Sequence, residues 1–314
     1  MSEIKKNLVG GQAVIEGVMM KSPNFYSVVV RKSDGTLVTK TESCPSITKK
    51  YPILKKRFLR GMIVLWETMV LGMKILSYSA DIYASDIEQK EGQPKQESPA
   101  KTSNKTMGIA IAGTIIFSFG LGICLFVLLP LWITQFVKGM WTAVEHHIMF
   151  NFVDGLVRLA IFLLYVISIS LLKDIRRVFE YHGAEHKSVF AYEDGVELTI
   201  DNVKKYSTLH PRCGTNFMFI VIILGILFVS MFKVDTFVQK VALRLIILPF
   251  LAGVSYEVIK FLSSKQDKAW ARFFMMPGLM LQKITTNEPD DQQLEVAITA
   301  LNEVIKSEEN IKND

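Results

Sequence analysis

The run Phe152-Val153-Asp154-Gly155-Leu156-Val157-Arg158-Leu159-Ala160-Ile161-Phe162-Leu163-Leu164-Tyr165-Val166-Ile167-Ser168-Ile169-Ser170-Leu171-Leu172 decides the fold, because it supplies the ~20 mostly apolar residues that a helix needs to cross a bilayer. Half of the chain is hydrophobic while 21% is charged, so the apolar residues are gathered into blocks rather than spread evenly. Three further blocks have the same character: about Met107 to Val137, Asn216 to Phe232, which is the shortest, and Phe237 to Leu262. The expected fold is an α-helical integral membrane protein with four transmembrane helices over 106–262, a small N-terminal β-hairpin or sheet, and cytoplasmic helices. The first block carries Pro130 and is expected to kink or tilt.

Lysine plus arginine numbers 17 before the first block, 1 in 138–151, 7 in 173–212, 2 in 233–240 and 6 after Leu262. Alternation of rich and poor loops places both termini and the loop 173–215 in the cytoplasm, with the bilayer of the inner membrane as the partner that the net charge of +6 serves. Nucleic acid is not expected. Arg158 and Arg244 sit inside blocks and must pair or snorkel; Arg244, a turn or two from the outer edge, is expected to snorkel. Cys44, Cys124 and Cys213 are too far apart for a disulfide framework and fit a reducing cytosol. Met-Ser-Glu-Ile-Lys-Lys is followed by no apolar h-region, so membrane entry is expected from internal segments.

Residues 1–52 read as a cytosolic β region. A run from Gln12 to Met20 precedes Tyr26–Arg31 and Thr36–Lys40, which flank the hairpin signal Ser33-Asp34-Gly35. Glu16 interrupts the first run and is expected on the exposed face of an edge strand, or behind a site as a supporting carboxylate. Residues 53–87, basic at the front (Lys55, Lys56, Arg57, Arg60) and carrying Trp66, read as an amphipathic helix on the membrane surface. A crossing there would strand twelve Lys/Arg on the far side. Residues 88–105 read as a mobile linker. In 263–314, a cytosolic helical region, Phe273–Met280 is a patch too short to span, and Pro289-Asp290-Asp291 opens a helix with the stripe Leu294, Ile298, Leu301, Ile305.

The chemistry lies in Tyr181-His182-Gly183-Ala184-Glu185-His186-Lys187, followed on the same loop by His210-Pro211-Arg212-Cys213-Gly214. On a helix His182 and His186 share a face, the spacing with which two imidazoles bind one divalent metal. His-x-x-Glu-His is the inverted form of the zinc-hydrolase helix, in which the carboxylate serves as general base. His210 and Cys213 are candidates for the remaining ligands. Gly183 is expected to weaken helix continuity, allowing the bend that a closed site needs.

Gly10-Gly11-Gln12-Ala13-Val14-Ile15-Glu16-Gly17-Val18-Met19-Met20, the two His-bearing motifs and Pro289-Asp290-Asp291 resemble the YqhQ-like family of bacterial membrane proteins over nearly the whole chain. That family is catalogued as a domain of unknown function and often labelled a metal-dependent enzyme. The resemblance therefore implies a fold and a metal rather than a reaction.

Three readings follow. In the first, His182, His186 and His210 or Cys213 hold Zn²⁺, Glu185 is the base, and Arg212 or Lys187 stabilises negative charge on an amide or ester held at the membrane surface. In the second, three histidines and Cys213 close a structural tetrahedron around the metal. In the third there is no metal, and the protein is a scaffold for other membrane proteins. Glu257, beside Tyr256 and Lys260, is a further carboxylate that could bind metal or support a histidine, or pair locally. His146 and His147 fall in the outer loop, away from the other three.

Overall fold

The computed structural model describes residues 9–47, 56–90 and 105–313. Strands β1 (Gly10–Val14), β2 (Gly17–Lys21), β3 (Phe25–Arg31) and β4 (Leu37–Ser43) form one antiparallel sheet in chain order. Gly35, at φ +88°, turns β3 into β4 as the Asp-Gly signal requires. The run from Gln12 to Met20 is itself a hairpin: Val14 faces Gly17 across the turn Ile15-Glu16. Glu16 adopts a left-handed φ of +51°, unfavourable for a residue with a Cβ, so it sits at a turn and not on a strand face as expected.

The helices are α1 (Arg57–Lys90), α2 (Lys105–Ile123), α3 (Leu129–Met140), α4 (His147–Ser170), α5 (Lys173–Asp194), the single turn α6 (Ile200–Val203), α7 (Gly214–Ser230), α8 (Phe237–Ser263), α9 (Ala269–Thr285) and α10 (Asp291–Asn313). Of the expected linker, residues 91–104 lie outside the described residues, as does the start of the expected surface helix before residue 56. Between α2 and α3 the chain makes a π-helical turn, Cys124–Leu128, immediately before Pro130. The wider turn accommodates the ring and the missing N–H, so the helix continues past the proline.

Among the described residues, three segments are long and apolar enough to cross a membrane: Ile116–Met140, α4 and α8. The expected fourth, α7, has 17 residues. At 1.5 Å per residue it rises ~26 Å, short of a hydrocarbon layer of ~30 Å. Four expected spans are thus corrected to three candidates. Arg244 is also corrected. It is buried and donates to Asp154 Oδ2 at 2.9 Å and to Asn151 Oδ1 at 3.3 Å, while Arg158 donates to the same Asp154 oxygen at 2.9 Å.

The sheet is covered on both faces. Val18, Met20 and Val29 pack on Tyr181 and Ala184 of α5 and on Leu294 and Leu301 of α10, which buries the expected stripe. On the other face, Val14, Met19, Val28 and Val30 take Leu71 and Ile75 of α1, the period-2 alternation of a pleated strand. Toward its start, α1 crosses α8 so closely that a Cβ on Gly61 would stand 2.8 Å from the Gly253 carbonyl oxygen. Arg60 there donates to both oxygens of Glu257, at 2.7 and 2.8 Å, so the partner of Glu257 comes from another helix and not from Lys260. The opposite side of α1 is apolar and open, with Trp66 60% exposed.

Asp154 is the counter-ion of two guanidinium groups inside apolar helices. Asp154→Ala should lower the thermal midpoint of the detergent-solubilised protein by the equivalent of about 3–5 kcal/mol. A shift no larger than that of an exposed-site substitution would refute the triad.

Candidate metal centre

The site begins where α4 ends. Leu172 is extended (ψ 131°), which breaks the helix and redirects the chain, so α5 does not prolong α4 as a straight rod. The bend is here and not at Gly183, through which α5 runs uninterrupted. Gly183 serves close approach instead: a Cβ would lie 2.0 Å from the Asn287 carbonyl oxygen. Asn287 N–H donates to Phe179 O at 2.9 Å, so the chain leaving α9 lies flat on α5. That brings the Thr285 carbonyl to His182.

His182 and His186 stand side by side with ring centroids 4.4 Å apart. His182 Nδ1 is 2.8 Å from Thr285 O, and His186 Nδ1 is hydrogen-bonded to Thr208 O. A carbonyl only accepts, so both Nδ1 atoms carry the proton and both Nε2 atoms present a lone pair. Cys213, the N-cap of α7, places Sγ 3.3 Å from His182 Nε2. The potential ligand atoms of His182, His186 and Cys213 all lie within 4.8 Å of one another.

His210 stands outside this group. Gln282 clamps its backbone from both sides, accepting from His210 N–H at 2.7 Å and donating to His210 O at 2.8 Å. Its ring lies against Phe190, centroids 4.4 Å apart, and Nδ1 accepts from Arg212 N–H at 3.3 Å. The proton is therefore on Nε2, which is buried and has no hydrogen-bond partner among the described residues; Glu193 Oε2 is 3.6 Å away.

Glu185 is 6% exposed, with Oε2 3.5 Å from His186 Nε2. Burial pushes its carboxyl above the usual carboxylate range, against the opposing pull of His182, His210 and the Gly11 N–H. Burial also pushes His186 and His210 below the ordinary imidazole value. A neutral His186 and an ionised Glu185 would face each other as two acceptors, an arrangement that calls for a proton or a cation between them. Gly11 makes the approach possible, since a Cβ there would stand 2.6 Å from Glu185 Cγ.

The remaining candidates are placed around this centre. Lys187 is turned away, buried against Lys204 O at 2.9 Å and paired with Glu288. Arg212 is paired with Glu193. Glu16 receives Arg177 Nη2 at 2.6 Å and Tyr181 O–H at 3.2 Å, bracing α5 from behind. Glu257 is held by Arg60, and His146 and His147 sit together at the start of α4 with ring centroids 4.8 Å apart. The residues that sequence reasoning missed are Thr208, Thr285 and Gln282. Two of these act through backbone atoms, which no side-chain motif announces.

A cleft of about 810 Å³ opens onto the cluster. Gly11 and Ala13 of β1, Thr68 of α1, Glu185 and His186 of α5, and Tyr256 of α8 mark its walls. Fold and site together define a mostly helical protein with a small antiparallel sheet, apolar helices and a His/His/Cys cluster. The chain belongs to the family described as a protein of unknown function (DUF1385), which matches residues 57–307. It is 32% identical over 304 residues to the uncharacterized protein YqhQ of Bacillus subtilis (strain 168), covering 95% of this chain and 92% of that one. No solved structure matches.

Gly183→Ala drives a methyl group into the Asn287 backbone and should destabilise the protein by about 1–3 kcal/mol in thermal melts. Gly122→Ala, inside α2 where a Cβ meets open space, is the control and should hold or raise the midpoint. Equal behaviour of the two variants would contradict the close crossing.

Proposed function

We propose that the protein is a zinc-dependent hydrolase of the cytoplasmic membrane, working at the inner face of the bilayer. The observation that carries this reading is the pair of Nδ1–H···O=C bonds to Thr285 and Thr208. They leave two Nε2 lone pairs beside Cys213 Sγ, a donor set that suits zinc. Zinc held there would act as a Lewis acid and lower the pKa of a water molecule toward ~7. With His210 outside the group, three protein ligands remain, the number found in catalytic rather than closed structural sites. Glu185 takes the proton of the attacking water and passes it to the leaving group, a task suited to a carboxylate whose proton affinity is raised by burial.

The membrane part of the reading rests on composition and charge. Ile116–Met140, α4 and α8 cross the bilayer; because α10 packs on the N-terminal sheet, both ends share one side, the cytoplasmic side of the basic segments, so the shorter α7, paired with α8, carries the chain through the remaining passage. The open apolar side of α1, with Trp66, Met69 and Met73, lies in the headgroup layer.

A second reading has its own observation. The 3.3 Å contact between Cys213 Sγ and His182 Nε2, with His182 oriented by Thr285 O, is also the arrangement of a thiol nucleophile and its base. Metal content separates the two.

Purified protein should contain about one zinc per chain. His182→Ala, His186→Ala and Cys213→Ser should each lose it, while His210→Ala and Glu185→Gln keep it. Glu185→Gln should lose hydrolysis by about 100-fold or more with its zinc intact. Zinc-free protein whose Cys213 is alkylated rapidly would favour the thiol reading instead. For topology, Ala143→Cys should react with a membrane-impermeant maleimide in intact cells and Ser33→Cys only after lysis; the reverse would invert the orientation.

A further inference from the structure

The cleft beside the cluster has an unusual wall, the free edge of β1. The register fixes which groups it offers. Val14 pairs with Gly17 across a two-residue turn, and Gln12 with Met19, so these residues exchange hydrogen bonds with β2. On the far side of β2, Arg31 N–H donates to Glu16 O at 2.8 Å, which is consistent with Val18 and Met20 bonding to β3. Gly11 and Ala13 therefore aim their N–H and C=O groups off the sheet. The Gly11 N–H faces Glu185. The Gly11 carbonyl and both Ala13 groups bond to no other backbone group among the described residues.

An unpaired edge normally needs cover, because it templates the addition of another strand. Here α1 and α5 cover the two faces of the sheet but leave this edge open to the cleft. The edge is bare at Gly10, where a Cβ would meet open space, while at Gly11 the Glu185 side chain lies against it. His210 lines the same wall, with its Nε2 buried 3.6 Å from Glu193 Oε2. Arg212, which a phosphate headgroup would need, is already committed to Glu193.

We infer that the substrate is an extended polypeptide segment, seated as a fifth strand along β1 and paired with the outward Gly11 carbonyl and the Ala13 N–H and C=O groups. This rests on the hydrolase reading for its chemistry. Main-chain pairing makes recognition tolerant of sequence. Hydrolysis then breaks the amide C–N bond and forms a C–O bond from water. One water proton passes through Glu185 to the departing amine, and the new carboxyl group keeps the oxygen.

The test uses the full-length Glu185→Gln protein in detergent, loaded with zinc, and fluorescein-labelled β-casein, an unfolded polypeptide, as probe in fluorescence anisotropy. Casein should bind saturably, and Ala13→Pro should weaken binding by about tenfold or more, because it removes an outward N–H and no bond to β2. A Lys-flanked Val-Thr repeat peptide should compete, and the same peptide N-methylated at alternate residues should not, a readout that leaves the protein unaltered. Equal binding by a stable Ala13→Pro variant, equal competition by the methylated peptide, or displacement of casein by phosphatidylglycerol vesicles would each overturn the proposal. Casein binding without any zinc uptake would support the edge site and remove the hydrolase reading; zinc uptake without casein binding would do the opposite.

Discussion

Two backbone carbonyls hold the candidate centre in shape. Thr285 O and Thr208 O each take the Nδ1 proton of a histidine on α5, and the opposite nitrogen of each ring is thereby fixed as a lone pair beside the Cys213 thiol. Neither carbonyl belongs to the helix it serves. One comes from the end of α9, the other from the loop before α7, so the histidines are oriented only once three separate parts of the chain have packed. The break at Leu172, the missing side chain at Gly183 and the Gln282 clamp on His210 all act toward that one arrangement. Ring orientation set by backbone atoms is stiffer than orientation set by a long side chain, which suits a site that must meet a ligand in one geometry.

Buried polar groups away from the centre are partly paired, although Arg158 Nε, Ser255 Oγ and others have no hydrogen bond among the described residues. Among the apolar helices, Asp154, Arg158, Arg244 and Asn151 share their hydrogen bonds, although one Asp154 oxygen is left over. Glu308, buried under the sheet, receives Ser22 Oγ at 2.6 Å and both nitrogens of Asn24. Around the cleft, His210 Nε2 makes no hydrogen bond and has Glu193 Oε2 3.6 Å away, Glu185 is buried beside the acceptor face of His186, and burial shifts Glu185, His186 and His210 toward neutrality. Incomplete satisfaction of this kind costs stability, and at the centre a bound group would supply what is missing.

Much of this was legible in the sequence, for physical reasons. Apolar blocks, the Asp34-Gly35 turn and the Leu294-Ile298-Leu301 stripe are local signals, and each formed the element its period demands. His182 and His186 shared a face because four residues is nearly one helical turn. What stayed hidden was set by distant contacts. Glu16 takes a left-handed turn in a run that reads as one strand, held there by Arg177 from α5. Arg244 and Glu257 found partners 90 and 197 residues away, Asp154 and Arg60, which no periodicity reveals. The short reach of α7 is legible in its 17 residues. His210 stays apart from the cluster, although Cys213 is only three residues on, because the distant Gln282 holds its backbone and the Arg212 amide takes its Nδ1.

Helix α1 ties these parts together mechanically. Its 34 residues make a rod about 50 Å long, seated on α8 at Gly61 and Arg60 and on the sheet at Leu71 and Ile75. Gripped at two places along one stiff axis, the sheet cannot swing away from α8 by itself. The spacing between β1 and Tyr256 of α8 across the cleft is therefore set by the length of one rigid strut.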